Sequence, residues 1–279
     1  MSSRSSDPAR LSISHALALG ALHGPAELLP ISSSGHVTLV PWLLHWEYDH
    51  LDAELRKSFE VALHAGTAAA LLITLRAEVA EAVVGLGPRR LALIALSFAP
   101  PAIVGYTLER PIERHLGTPT TIAGGLIGGS VLMALADRTP QVRSHEDADW
   151  RDALWLGLAQ ACALIPGVSR NGATLAAARL RGFTREDANR LSRHVALPVI
   201  AGASVLKTVR LRRRGLPDGN AAPFALGALA SFVSTLGSTW LIKQVERDRS
   251  LLPYAAYRVV LASTVLRRSR KCSRASTGE

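Results

Sequence analysis

Apolar runs of about 17 to 25 residues, the length a helix needs to cross a bilayer, recur along the chain with short polar joints between them. Four are uninterrupted: Phe59 to Leu75, Leu91 to Leu108, Pro119 to Ala136 and Ala221 to Ile242. Two are weaker, Ala188 to Val209 with its apolar centre at Val195 to Leu206, and Leu251 to Leu266 with Arg258 inside it. The pattern predicts an all-α integral membrane protein with about six transmembrane helices.

Two further apolar regions are broken, at Leu11 to Leu29 followed by Gly35 to Trp46, and at Ala153 to Ile165 followed by Gly172 to Leu180. Their second halves are too short to span. Each break holds Pro, Gly and hydroxyl residues, which free backbone groups that hydrocarbon cannot satisfy, so the break must lie inside protein or line a wet cavity. Two re-entrant helix hairpins are the expected solution. A shift of 137 positions lays Leu19-Gly20 on Leu156-Gly157, Ser32 on Ser169 and Gly35 on Gly172. After the hairpins, Ala62 to Gly66 resembles Pro198 to Gly202, and Ser97-Phe98 resembles Ser231-Phe232. The chain therefore reads as one membrane domain, 1–279, with repeat 1 at about 11–136, repeat 2 at about 150–267 and a basic tail at 267–279. An odd number of crossings between the hairpins inverts the second repeat, so that the two tips meet near mid-membrane, the inverted-repeat arrangement of transporters.

Composition agrees with a lipid-embedded body: of 279 residues 48% are hydrophobic, and the mean hydropathy is +0.19. A net charge of +10 and a pI near 10.5 would suit a nucleic-acid binder. The basic residues instead cluster at the ends of apolar runs, as in Arg212-Arg-Arg214 and Arg267 to Arg274, where anionic lipid head groups would be met. Nucleic acid is excluded as a partner and membrane lipid expected. Lys and Arg fall almost evenly on the two sides, so the positive-inside rule does not fix the orientation. Cys162 and Cys272 make neither a disulfide framework nor a metal motif. The polar start, Met1 to Arg10, carries no pattern of a cleaved signal peptide.

Candidate chemistry sits at the breaks. Ser32, Ser33 and Ser34 precede Gly35, and Ser169, Arg170 and Asn171 precede Gly172 with Thr174 just beyond. Hydroxyls and free N–H groups at a helix N-terminus bind phosphate, and Arg170 adds a planar cationic fork. His23 and Glu27, one helical turn apart, face the first tip as acid/base or metal partners, and His36 is placed to move a proton. Glu60 and His64, again one turn apart, read either as partners of the site or as an interfacial pair, and Arg258 either as a partner of the site or, the favoured reading, as a side chain reaching a head group.

These residues carry a resemblance. Glu27-Leu-Leu-Pro-Ile-Ser-Ser-Ser-Gly-His36 and Pro166-Gly-Val-Ser-Arg-Asn-Gly-Ala-Thr174, supported by Phe59 to Gly66 and Pro100-Pro101, resemble the undecaprenyl-diphosphate phosphatase family of integral-membrane enzymes associated with bacitracin resistance, over about Leu17 to Leu266. The resemblance implies hydrolysis of undecaprenyl diphosphate to undecaprenyl phosphate and inorganic phosphate, recycling the lipid carrier of cell-wall polymers. It implies a plasma-membrane site open to the outer side and dependence on Mg²⁺ or Ca²⁺. By position, the resemblance makes Glu27 an acidic site residue, Ser33 a candidate nucleophile, His36 the acid/base and Arg170 the phosphate clamp. Ser32, Ser34, Ser169, Asn171 and Thr174 complete the cradle.

Two positions depart from the family pattern, His23 standing where a second glutamate is usual and Asn171 where a serine is usual. A glutamate pair holds a hard divalent ion through oxygen, whereas His23 with Glu27 offers one nitrogen, which puts the Mg²⁺ or Ca²⁺ expectation in doubt. Asn171 cannot act as a nucleophile, which leaves that role to Ser33 or to water. The rival function is transport of undecaprenyl phosphate through the same anion site without hydrolysis. The sequence leaves a homodimer open.

Overall fold

The structure, a computed structural model, describes residues 10–84, 87–214, 219–247 and 250–277. Most of the polar N-terminal segment and the last two residues of the basic tail lie outside the described residues. Among the described residues the chain is all α-helical, its only bridge being an isolated one between Arg143 and Phe183. The first half comprises α1 (Ile13–Leu28), α2 (Ser33–Leu44), α3 (Ala53–Thr74), α4 (Arg76–Val84), α5 (Pro88–Leu116) and α6 (Pro119–Ala136). The second comprises α7 (Trp150–Cys162), α8 (Arg170–Leu180), α9 (Arg185–Arg214), α10 (Ala221–Gly237), α11 (Trp240–Arg247) and α12 (Leu252–Thr277).

Helix ends follow local chemistry. The Asp52 carboxylate accepts from Glu54 N and Leu55 N at 2.9 and 3.2 Å and opens α3, while Thr118 followed by Pro119 opens α6. Both hairpins are present as α1–α2 and α7–α8. Their second arms have 12 and 11 residues, and at a rise of about 1.5 Å per residue neither crosses a bilayer. By length and composition, Leu91–Leu116 and Pro119–Ala136 are long and apolar enough to cross, and α10 with α11 makes a third such unit bent by 51°. Apolar side chains on α5, α6, α10 and α12, among them Ile103, Val131, Val233 and Val260, are exposed, as lipid-facing surfaces require.

The two halves interlock reciprocally: α1 packs on α10 and α7 on α5, α3 lies against α10 and α9 against α5, and the pairs α6–α12 and α3–α9 join like to like. The pattern is the one that a two-fold relation between the halves would give. The seams are alike down to single residues. A Cβ on Gly20 would stand 2.4 Å from Gly227 O and 3.0 Å from Ser231 N, and one on Gly157 would stand 2.8 Å from Ser97 O and 3.0 Å from Pro100. At both seams the first arm of a hairpin lies backbone to backbone on a long helix of the other half. Small residues allow such approach in lipid, where van der Waals packing rather than water exclusion holds helices together.

The tips themselves are pinned by Arg258, which corrects the expectation that its side chain reaches a head group. It is fully buried. Its Nη1 donates to Pro30 O at 3.2 Å and its Nη2 to Gly167 O and Val168 O, both at 2.9 Å. These are carbonyls of the two helix breaks, left without intrahelical donors by the loops that interrupt each hairpin. The basic tail is corrected in the same way at one position. α12 continues through it, and Arg268 donates to Leu43 O at 2.6 Å and covers the Trp42 ring at 5.3 Å, closing the C-terminus of α2 rather than serving lipid alone.

Arg258→Met keeps bulk but leaves these carbonyls without a donor, at about 1–3 kcal/mol for each unsatisfied group. The expected result is a fall of at least about 6 °C in the melting temperature in detergent. Arg258→Lys, which lacks the planar fork, is expected to recover only part of the loss. An unchanged melting curve for Arg258→Met would show that the tips stand without this pin. Gly20→Leu is expected to unseat α1 from α10 and abolish a monodisperse peak in size exclusion, whereas Gly124→Ala, with open space around it, leaves the peak intact.

Candidate active site

Both tips turn through a non-glycine residue in the left-handed region, Ser32 at φ 78° and Ser169 at φ 70°. Each is the N-cap of the short arm that follows, its Oγ accepting from Gly35 N at 3.3 Å or Gly172 N at 3.2 Å. Positive φ at serine is costly and persists only where surroundings enforce it. Here the enforcement comes from the cap bonds and from Arg258. The turns aim the first residues of α2 and α8, Ser33 and Arg170, at the last turn of α1.

There they meet Glu27. Its Oε2 accepts a hydrogen bond from Ser33 Oγ, and its Oε1 accepts from Arg170 Nη2. Ser33 and Arg170, 137 positions apart, thus share one carboxylate. The Arg170 Nη1 is buried with no partner, so the guanidinium has donor capacity beyond its ion pair. Asn171 Nδ2 donates to Leu28 O at 2.8 Å and fastens the second tip to the end of α1. Thr174, fully buried, donates to Arg170 O at 2.9 Å and contacts Ser192 Oγ at 2.5 Å.

The expected residues therefore separate by place. Glu27, Ser33 and Arg170 converge, with His23 beside them. Ser32, Ser169, Asn171 and Thr174 are engaged in bonds that shape the two turns, and Ser34 is half-buried with its carbonyl accepting from Thr38 Oγ1 at 3.2 Å. His36 lies among α2, its own tip and α12. Its Nδ1 donates to Ser32 O at 2.7 Å, and its Nε2 stands 2.7 Å from Tyr257 Oη, the two rings stacked with centroids 5.6 Å apart. Both ring nitrogens are taken up by partners other than Ser33 and Glu27.

His64 enters the cluster from α3. Its Nε2 lies 3.7 Å from Glu27 Oε2, and its Nδ1 donates to the Glu60 backbone carbonyl at 2.8 Å. The relation between Glu60 and His64 thus runs through the main chain and leaves the Nε2 lone pair for the site. The ring of His64 meets that of His23 edge to face with centroids 4.5 Å apart, and His23 Nδ1 is 2.9 Å from Thr67 Oγ1. His23, Glu27 and His64 each offer one ligand atom, all within 4.8 Å of one another. Of the two readings the sequence left open for His64, partner of the site or interfacial pair, the geometry matches the first.

Next to Arg170 a small pocket opens part-way to the surface. Glu27, Arg170, Asn171 and Ser192 make its polar end, and Leu71, Leu75, Ile200 and Ile242 its apolar wall. Arg193, which pairs with Glu78 at 3.0 Å and Glu246 at 2.5 Å, also lines it and joins α9 to α4 and α11. Nothing in the spacing of α9 residues marked Ser192 or Arg193 as cavity residues, because only the packing of α9 on α8 brings them there.

Known proteins resemble this chain over most of its length. A protein of Geobacter sulfurreducens named undecaprenyl-diphosphatase is 44% identical over 92% of this chain and 98% of its own length. One of Geobacter metallireducens with the same name is 41% identical over 90% and 96%, and one of Nitrosococcus oceani, also so named, is 37% identical over 89% and 96%. Residues 16–264 match the family described as bacitracin resistance protein BacA, which takes in both hairpins and all the residues that converge on Glu27, and the chain belongs to that family.

Proposed function

We propose that the protein hydrolyses undecaprenyl diphosphate to undecaprenyl phosphate and inorganic phosphate, recycling a lipid carrier of cell-wall synthesis. The observation that carries the reading is Glu27 held between the Ser33 hydroxyl and the Arg170 guanidinium where the two broken helices meet, beside a cavity polar at one end and apolar along its wall. Such a cavity matches an amphiphile with an anionic head. The relatives' shared name, undecaprenyl-diphosphatase, speaks for hydrolysis and against the transport alternative.

In this reading the diphosphate enters the polar end, and Arg170 presents its unpartnered Nη1 to phosphate oxygens together with free N–H groups at the start of α2 and α8. Ser33 Oγ attacks the terminal phosphorus and passes its proton to Glu27. The bond from phosphorus to the bridging oxygen breaks, and that oxygen leaves with the electron pair as undecaprenyl phosphate. Because a phosphate monoester with a second pKa near about 6 is a stable anion, its departure needs no strong acid. Water then adds to the phosphoserine, Glu27 returns its proton to Ser33 Oγ, and the proton lost by water stays on the released phosphate. His36 acts as a positioning residue that holds the Ser32 carbonyl and α12 through Tyr257. The site belongs to the plasma membrane and faces its outer side, a placement the family resemblance supports.

A Mg²⁺ or Ca²⁺ site built from this cluster does not match the donors present. His23 and His64 offer nitrogen and only Glu27 offers oxygen, whereas these ions take six or more oxygen ligands. No step above depends on a metal.

Phosphate release from undecaprenyl diphosphate by the purified protein tests the proposal. Wild type is expected to release phosphate, with kcat/KM reduced by about 10²–10³ in Arg170→Ala, the scale of losing one charge-stabilising donor. Ser33→Ala is expected to fall at least as far and to form no acid-stable phosphoprotein. Release by wild type no faster than by Arg170→Ala ends the phosphatase reading.

A further inference from the structure

The donors around Glu27 point to a cation of a different class from the hard ions a glutamate pair would hold. We propose that His23, Glu27 and His64 form a two-nitrogen, one-oxygen site for a divalent transition ion of the zinc type, with further positions open to water or phosphate oxygen. The proposal rests on the reading of this cluster as the reaction centre and specifies the ion that belongs to it.

Three features of the site carry the argument. First, each imidazole is oriented by a bond at Nδ1. His64 Nδ1 donates to Glu60 O at 2.8 Å, which fixes the tautomer and leaves Nε2 as a bare acceptor. His23 Nδ1 is held by Thr67 Oγ1 at 2.9 Å and Ser231 Oγ at 3.3 Å. Second, His23 is fully buried and its Nε2 has no partner, an unused lone pair or proton in a region without bulk water. Leaving such an atom unsatisfied is costly, and a metal bond would remove the cost. Third, the rings stand edge to face at 4.5 Å beside a carboxylate, and the ligand atoms lie within 4.8 Å of one another.

Outer-shell contacts of this kind are the usual support of metal-bound histidine. Thr67 is itself fixed by Ser231 at 2.8 Å and Thr235 at 3.2 Å, so the orientation of His23 passes through hydroxyls on α3 and α10. Bonds of about 2.0–2.1 Å place tetrahedral ligands roughly 3.4 Å apart, closer than the outer limit of this cluster. His64 is half-buried, and its Nε2, 3.7 Å from Glu27 Oε2, already stands near that spacing. Two imidazoles with one carboxylate and open positions are the donor set of catalytic zinc and of related transition ions. The Oε2 of Glu27 retains lone-pair capacity beside the Ser33 hydroxyl, since an ionised carboxylate offers about four acceptor sites.

The test uses full-length protein in detergent, stripped with chelator and titrated with Co²⁺, whose visible absorption reports nitrogen and oxygen ligation. Metal content per chain is measured alongside. The expected result is one Co²⁺ per chain, displaced by stoichiometric Zn²⁺ and retained against about a thousandfold excess of Mg²⁺ or Ca²⁺. His64→Gln and His23→Ala are expected to weaken Co²⁺ binding by at least about 100-fold. His23→Glu is expected to let Mg²⁺ compete about tenfold better. If burial makes a His23 variant fail to fold, His64→Gln, altered at a half-buried ring, carries the test with size exclusion as the folding control. Absence of stoichiometric Co²⁺, displacement by equimolar Mg²⁺, or binding unchanged in folded His64→Gln overturns the proposal. Hydrolysis is assayed separately. Metal bound without phosphate release leaves this site standing and removes the phosphatase reading, and release by protein that binds no Co²⁺ does the reverse.

Discussion

One buried guanidinium holds together what the rest of the protein needs kept together. A helix that breaks inside a bilayer leaves carbonyls with no donor, and two such breaks sit here face to face. Arg258 supplies donors to Pro30 on one side and to Gly167 and Val168 on the other. Its charge would be expensive in lipid, yet it is surrounded by carbonyl dipoles that replace water. The same contacts set the relative position of the two turns, so the distance from Ser33 to Arg170 is governed by a residue that touches neither.

With the turns fixed, Glu27 becomes the centre of the site. A single carboxylate at the end of α1 meets a hydroxyl from the first tip, a guanidinium from the second and an imidazole from α3. The arrangement is balanced in charge without a ligand, and an entering phosphate competes for Arg170 with a carboxylate already in place. In the proposed mechanism, binding of the head group would free Glu27 to act as a base. The pocket at this point is lined both by these polar groups and by apolar side chains of α3, α9 and α11, which matches a lipid with an anionic head.

The reciprocal packing of the halves explains why both tips can be so similar and yet do different things. Gly20 and Gly157 make the same close approach at equivalent seams, and Ser32 and Ser169 make the same cap with the same unusual backbone. Divergence is confined to what projects from that common frame. Position 27 is a carboxylate and its counterpart 164 a leucine, and position 33 is a hydroxyl where 170 is a guanidinium. His23 has Gln160 as its counterpart, which bonds to Ser97 O and takes no part in the cluster.

Sequence alone determined the helical class, both broken hairpins and the residues at their tips, because bilayer thickness and backbone satisfaction constrain length and composition directly. It also determined that Glu27, Ser33 and Arg170 belong to one site, through two motifs whose offset matches. What only the tertiary structure decided depends on rotation of helices about their axes and on contacts between distant segments, which apolar periodicity does not encode. Arg258 turned inward to the carbonyls instead of outward to head groups. His36 turned to Tyr257 instead of Ser33. His64, which the sequence left open between the site and the interface, came beside His23 and made a two-imidazole cluster with Glu27.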